Sequence, residues 1–336
     1  MSIDLTMDRS KLIGKPLSEC PAGASGCPTM SEEQIMNEVA DDGATILQAD
    51  DVLARIIVPQ AYTVPDTLNS LKWVKTFNQG AIGSCNLASG MTLMSGLYFL
   101  KSGGERKEFS VFFSYMLCQS MDGLLGRDAG STPPSFIKMV MKYGALPMDY
   151  PGVPPYPKTY GEGLRTHKAL WDSFVKETKN PNGQTPILDA MAEHRLKSFI
   201  QIKTPDQASK LMKRGVSLFQ SSGPWVSGFD KDPERMFLGG DLHGKHGLHA
   251  YITADMSPNG ADLVPLNSWG SGTGNDSGLQ GGGHGWGDES YKSFAMDLAR
   301  QYYKHRYFTG FMLTDMTFPS TGTGPRKIPY TSSSWG

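Results

Sequence analysis

A glutamine that lies six residues ahead of a cysteine, Gln79 and Cys85 in the segment NQGAIGSC, restricts the fold of this chain more than any other feature. After the cysteine, apolar residues recur at helical intervals of four, three and four: Leu87, Met91, Met94 and Tyr98. The positive end of a helix macrodipole favours the thiolate form of a cysteine in the first turn. The sequence therefore predicts a nucleophilic Cys85 at the start of a helix, with Gln79 close in front of it.

Two motifs farther along the chain provide the other groups that a thiol nucleophile needs. His249 is followed by Ala250 and a strand-like run, which gives the imidazole a rigid mount, and Asn267 begins the sequence Asn-Ser-Trp-Gly. An imidazole has to share the thiol proton, and a third group has to hold that ring in the right tautomer. His249 and Asn267 fit these roles, and the Gln79 amide is suited to stabilise an oxyanion together with the backbone N–H of Cys85.

These motifs resemble the papain-like cysteine peptidases over roughly residues 64–315. The matching parts are Gln79 to Cys85, His249-Ala250, Asn267 to Gly270, and Gly285-Trp286-Gly287 with Tyr291. The stretch Asp128-Ala129-Gly130-Ser131 resembles the bacterial and viral branch of the family, in which this glycine-containing turn lines the substrate cleft.

The resemblance implies an α+β fold with two lobes, one helical and one strand-rich and barrel-like, with the cleft between them. It implies a peptidase that works through an acyl-enzyme without a cofactor or metal and acts on a peptide or protein substrate. The implied catalytic residues are Cys85, His249, Asn267 and Gln79. The implied substrate-binding residues are Gly130, Ser131 and Trp269.

Two positions depart from the family pattern. Asn86 follows the nucleophile where the family has an aromatic residue, usually tryptophan, and this changes the packing beside the thiol. Ile82 replaces a cysteine that forms a disulfide in secreted members.

The chain divides into a polar N-terminal segment (1–63), a catalytic domain (64–318) and a polar C-terminal tail (319–336). Within the domain we expect a helical lobe at about 64–157, an insertion with partial helix at about 158–195, and a strand-rich lobe at about 196–318. A helical half followed by a strand-rich half favours the α+β class. The N-terminal segment is interpreted as a propeptide or an assembly arm. We expect part of it to pack near Cys85 and Gly130.

Local patterns predict the individual elements. Helices are expected at Phe109–Cys118, Ser135–Tyr143 and Pro205–Lys213. Strands are expected at Ile200–Ile202, Val216–Phe219, Tyr251–Thr253, Leu263–Leu266 and Phe308–Leu313.

Composition limits the kinds of partner molecule and the cellular compartment that we expect for this chain. A net charge of −1 over 336 residues gives no support for nucleic acid or an anionic membrane as a partner. The N-terminus has no recognisable secretory signal, so a cytoplasmic or virion-associated protein is expected. Four cysteines do not make a disulfide framework; Cys118 is expected to pack as a small buried hydrophobe, and Cys20 and Cys27 as a reduced pair rather than a disulfide.

Three alternatives stay open at this point. His243, His246 and His249 have the spacing of a metal site, although no cysteine or carboxylate completes the ligand set. The fold could be an inactive structural module in a large, for example viral, assembly whose neighbours contact the terminal segments. The same thiol site could instead perform another acyl transfer, such as cleavage of cell-wall peptides.

Overall fold

The computed structural model describes residues 45–50, 77–102, 104–180, 182–213, 219–226, 246–256, 262–266, 268, 294–295 and 309–318. None of the helices in these ranges is both long enough and apolar enough to cross a membrane.

Three helices form the first lobe: α1 (Cys85–Ser102), α2 (Val111–Met121) and α3 (Pro133–Lys142). Helix α1 is central and α2 is buried along Val111–Gln119, as expected of helices that are apolar nearly all round. Helix α3 begins where the Thr132 side chain accepts a hydrogen bond from the Ser135 N–H, with proline in the first turn. This cap places the preceding residues, Gly130 and Ser131, against the start of α1.

The insertion folds into three short helices: α4 (Tyr160–Thr166), α5 (Lys168–Lys179) and α6 (Pro186–Ala192). It packs on the helical lobe through close approaches at two glycines. A Cβ on Gly163 would lie 2.1 Å from the Phe112 ring, and one on Gly144 would lie 1.8 Å from the Met191 carbonyl oxygen. Any larger residue would push the insertion away from the lobe.

The second lobe is built on a seven-stranded sheet with one further helix, α7 (Pro205–Lys213). Its strands are β1 (Thr45–Gln48), β2 (Leu196–Ile202), β3 (Phe219–Val226), β4 (His246–Met256), β5 (Asp262–Leu266), β6 (Phe294–Ala295) and β7 (Thr309–Met316). The order across the sheet is β1-β2-β7-β3-β4-β5-β6, and only β1 pairs in parallel. Helix α1 packs against β4 and β7, which brings the start of α1 next to the strand that carries His249.

The expected α+β architecture is confirmed, with the described strands forming an open sheet between two edge strands, β1 and β6. Helix α7 has the predicted bounds, α2, α3, β5 and β7 overlap their predicted ranges within a few residues, and the predicted Tyr251–Thr253 is the middle of the longer strand β4. Strand β3 includes Phe219, the last residue of the strand predicted at Val216–Phe219, and 216–218 lie outside the described residues. Strand β1 was not predicted, because its four residues carry no distinct alternation.

Strand β1 is the part of the N-terminal segment for which a fold is described. In the order of the sheet it lies four strand spacings from β4, or roughly 19 Å. The described part of the segment therefore lies at the sheet edge away from the strand of His249. The expected packing of this segment near Cys85 concerns residues outside the described ranges and stays a prediction.

Candidate active site

The nucleophile predicted from the sequence lies at the first residue of α1. Cys85 is 1% exposed and is not in a disulfide. Burial raises the pKa of its thiol to about 11, while three backbone N–H groups that hydrogen-bond to the sulfur, those of Ala250, Asn86 and Cys85 itself, act in the opposite direction. The sulfur therefore occupies a small pocket of N–H donors that is suited to hold a negative charge.

Strand β4 contributes one of those donors. The Ala250 N–H faces the Cys85 sulfur, so the backbone next to His249 lies at the thiol. Within the sheet His249 pairs with Gly223 of β3. The fold thus brings the backbone of His249 to the nucleophile, 164 residues apart in the sequence (249 − 85).

Gln79 is fully buried in the turn before α1, and three of its hydrogen bonds join it to Ile82 and Ser268. Its side-chain Nε2 donates to the Ile82 carbonyl at 2.9 Å, and its Oε1 accepts from the Ser268 hydroxyl. The Gln79 backbone N–H also donates to the Ser268 carbonyl at 2.8 Å. The first contact fixes which end of the amide is nitrogen, because a carbonyl oxygen can only accept.

Ser268 thus joins two motifs that are far apart in the sequence. It belongs to Asn-Ser-Trp-Gly and is 5% exposed. The sequence analysis gave it no role of its own, although its place inside the motif was a usable signal. Asn267 and Trp269, on either side of it, lie outside the described residues.

The turn that carries Gly130 and Ser131 lies directly against the start of α1. Asn86 Nδ2 donates to the Ser131 hydroxyl at 3.0 Å and to the Thr132 carbonyl at 2.7 Å. Gly130 has φ +77°, a backbone conformation that favours glycine. The departure at Asn86 is therefore accommodated, because its amide connects the start of α1 to the turn that carries Gly130 and Ser131.

A half-buried carboxylate connects the same two regions. Asp128 Oδ1 accepts from the Gly83 N–H at 2.9 Å and from the Tyr115 hydroxyl at 2.8 Å, and that hydroxyl accepts from the Gly130 N–H at 2.9 Å. Burial raises the pKa of Asp128, while the hydrogen bonds from Tyr115 and Gly83 lower it. The sequence analysis quoted Asp128 next to Gly130 but assigned no role to it or to Tyr115.

The insertion supports this turn from behind. The Tyr160 hydroxyl of α4 donates to Gln119 Oε1 and accepts from the Gly126 N–H at 2.9 Å. Gln119 in turn donates to the Arg127 carbonyl at 2.6 Å. The insertion thus has a definite structural task, which is to hold the loop that leads to Gly130.

A cavity of about 380 Å³ lies along α1, but neither Cys85 nor Gln79, the two candidate catalytic residues whose side chains are described, lines it; its walls include Phe77, Met91, Phe99, Phe112 and Tyr156. Within the described ranges no three His, Cys, Asp or Glu side chains are grouped as metal ligands. His243 and the side chains of His246 and His249 lie outside what the structure describes.

Comparison with known proteins supports the fold. No protein-family model and no curated protein sequence matches the chain. Among solved structures it is similar to xylellain, a cysteine protease from Xylella fastidiosa, with 16% identity over 89% of this chain and 97% of that one and a TM-score of 0.54. It is also similar to procathepsin B S9 from Trypanosoma congolense, with 11% identity over 89% and 88% and a TM-score of 0.52. The chain has the papain-like fold, as its motifs implied.

Proposed function

We propose that the chain is a cysteine peptidase that hydrolyses peptide bonds through Cys85, His249, Asn267 and Gln79. The observation that carries the proposal is the environment of the Cys85 sulfur, which lies at a helix start among three N–H donors, one of them next to His249. Both similar structures with the same fold are described as a cysteine protease or a procathepsin, which supports the same chemistry.

The reaction proceeds through an acyl-enzyme. The Cys85 thiolate attacks the peptide carbonyl carbon and forms a C–S bond, while the oxyanion accepts from the Gln79 side-chain amide and the Cys85 backbone N–H. The His249 imidazolium gives its proton to the departing amine as the C–N bond breaks, and Asn267 orients the imidazole. Water, deprotonated by the now neutral His249, then hydrolyses the thioester and releases the carboxylate.

Gln79 is suited to its role because its amide is held on both sides by Ile82 and Ser268. A donor that is fixed before the reaction needs no reorganisation when charge develops on the substrate oxygen. Gly130 and Ser131 form the wall against which substrate would lie, and Trp269 is assigned to substrate binding from its motif alone.

Because burial raises the pKa of the Cys85 thiol, His249 is expected to lower that pKa, and this effect can be measured. With the pKa of Cys85 at about 11, almost none of it would be thiolate at neutral pH. An imidazolium about 4 Å away contributes about 4 kcal/mol at an effective dielectric constant of 20, which lowers a thiol pKa by about three units. His249 is therefore expected to be the main source of the reactive thiolate.

Peptidase activity and alkylation rate test the proposal together. We expect Cys85→Ala to abolish hydrolysis of a broad peptide substrate, whereas Cys118→Ala, at a buried cysteine of α2, keeps it. His249→Ala should raise the pKa measured from the rate of Cys85 alkylation by about three units. Wild-type hydrolysis by Cys85→Ala, or an unchanged alkylation profile in His249→Ala, would contradict the assignment.

A thiol-directed epoxide inhibitor separates the peptidase from a structural module. Stoichiometric labelling of Cys85 in the intact chain, or in a chain that begins at Thr63, indicates an activated thiolate. Absence of labelling in both would favour a structural role. The comparisons themselves give no support to a virion component.

A further inference from the structure

Two segments on either side of the candidate site are joined by a single carboxylate oxygen. The first segment is the turn before α1, in which Gly83 lies two residues ahead of the nucleophile. The second is the turn that carries Gly130. Oδ1 of Asp128 accepts the Gly83 N–H at 2.9 Å and the Tyr115 hydroxyl at 2.8 Å.

The Tyr115 hydroxyl extends this link to the wall itself. It donates to Asp128 and at the same time accepts from the Gly130 N–H at 2.9 Å. The hydroxyl therefore uses its hydrogen and one lone pair in the link. Tyr115 is fully buried in α2, so its ring cannot move without disturbing the core of the helical lobe.

The link is continuous from one side of the site to the other. It runs from the Gly83 N–H to Asp128, from Asp128 to the Tyr115 hydroxyl, and from that hydroxyl to the Gly130 N–H. Every donor in it is neutral. The Asp128 carboxylate is half-buried, so it loses part of its hydration, and two neutral donors to Oδ1 take the place of that water.

We propose that Asp128 and Tyr115 are positioning residues that fix the gap between the Cys85 thiol and the substrate wall at Gly130 and Ser131. This proposal rests on the proposed peptidase function. The two residues act through backbone: Asp128 holds the turn that leads into Cys85, and Tyr115 holds the wall. An error of about 1 Å in such a gap can reduce catalysis about a hundredfold.

The required property of Asp128 is its acceptor oxygen rather than its charge. Asparagine at this position keeps an Oδ1 that can accept both hydrogen bonds, whereas alanine removes the acceptor. Asp128→Asn should therefore retain kcat/KM within about threefold, and Asp128→Ala should lose about tenfold to a hundredfold. Asp172→Ala, at an exposed aspartate of α5, is the matched control and should be neutral.

Tyr115→Phe separates the two ends of the link. It removes the hydroxyl but leaves the bond from Gly83 to Asp128, so only the wall should loosen. We expect KM to rise with little change in kcat. Tyr98→Phe, which removes a buried hydroxyl beside Glu105, should change neither constant.

Hydrogen exchange measures the link directly, without any substrate. In Asp128→Ala the amides of Gly83 and Gly130 should both exchange about tenfold faster. In Tyr115→Phe only the Gly130 amide should do so, and in Asp128→Asn neither should. If the wild-type chain hydrolyses no peptide, the proposed function fails, and these exchange rates together with the rate of Cys85 alkylation still decide the role of Asp128.

Three outcomes would overturn the proposal. One is unchanged exchange at both amides in Asp128→Ala. Another is an Asp128→Asn variant as impaired as Asp128→Ala, because the charge and not the link would then be the active property. The third is a Tyr115→Phe variant whose KM and Gly130 exchange are those of the wild type.

Discussion

Asn86 fills the place beside the thiol with hydrogen bonds instead of an aromatic ring. Its amide is fully buried and donates to the Ser131 hydroxyl and the Thr132 carbonyl. Thr132 is also the residue that caps α3, so one side chain connects the first turns of two helices. A tryptophan at this position would remove both hydrogen bonds. Asn86 therefore has a structural role of its own and is not simply the loss of the family's aromatic residue.

Removing the Asn86 amide should therefore weaken the whole lobe. Asn86→Ala leaves a buried carbonyl without this donor, and we expect the free energy of unfolding to fall by about 2–3 kcal/mol. Denaturant unfolding measures it. Asn182→Ala, at an exposed asparagine, should change stability by no more than about 0.5 kcal/mol. Equal stabilities of the two variants would show that the Asn86 contacts contribute nothing.

Single residues could be predicted from the sequence where a motif carried them. The motif indicated Cys85 at a helix start and Gln79 in front of it, and both lie there. The sequence could not indicate that Ser268 fixes the Gln79 amide, because that contact joins residues 189 positions apart. The role of Asp128 was hidden for the same reason: its partners Gly83 and Tyr115 are brought to it only by the packing of α1 on α2.

At the level of elements, the insertion depends on the carboxylate of Glu177, which caps the N-terminus of α6. Glu177 of α5 is 7% exposed, and its Oε2 accepts from the N–H groups of Ile187 and Leu188, both at 3.0 Å. These are first-turn groups of α6, which have no partner within their own helix. The Thr185 side chain at the start of α6 makes no capping bond, so Glu177 takes over that task from the neighbouring helix.

Glu177→Ala should release α6 from α5. We expect a loss of about 2 kcal/mol in the free energy of unfolding, since one buried and one partly buried N–H group lose a charged acceptor. Glu177→Gln keeps one acceptor oxygen and should lose about half as much. Thermal unfolding followed by circular dichroism measures both. A Glu177→Ala variant with wild-type stability would mean that water replaces the carboxylate without loss.

Elements were predictable where the local pattern decides them and less so where tertiary contacts do. The helical spacing of apolar residues in α7 and the apolar run of β5 were sufficient, and both were placed to within one residue. The helices of the insertion were foreseen only as partial helix, because α4 and α6 have seven residues each and are held by outside contacts such as Tyr160 and Glu177. Short helices of this kind carry little signal of their own.

At the level of the whole molecule, a buried histidine lies where the helical lobe meets the sheet. His194 is 1% exposed, its ring packs against those of Tyr98 and Phe109 at 5.5 and 5.1 Å, and the chain enters β2 two residues later. Burial lowers its pKa from 6.5 to about 4, with Lys107 acting in the same direction and Asp149 against it. Its Nδ1 has no hydrogen-bond partner.

This histidine should make the fold sensitive to acid. Because the folded-state pKa is below the unfolded value, the unfolded chain binds more protons between pH 6.5 and 4. Stability should therefore fall as the pH decreases through that window, by about 2–3 kcal/mol. His194→Phe keeps the ring packing and should flatten much of this slope, measured as the free energy of unfolding against pH. His167, whose pKa is also lowered by burial, contributes a slope of the same sign. An unchanged slope in His194→Phe would contradict the assignment.

The pairing of β1 with β2 has a consequence for any maturation of this chain. Residues Thr45–Gln48 close the edge of the sheet through four parallel pairs, and a bared edge strand is a template for association with other chains. A cut between Gln48 and Phe77 would separate the N-terminal piece covalently but leave it held by its ladder. Cleavage of the chain and dissociation of the N-terminal piece are thus two different events. The product of cleavage is a two-chain molecule until β1 dissociates from β2. Once the N-terminal piece has dissociated, the exposed edge of β2 has to be covered by another group, because an open edge strand promotes self-association of the cleaved protein.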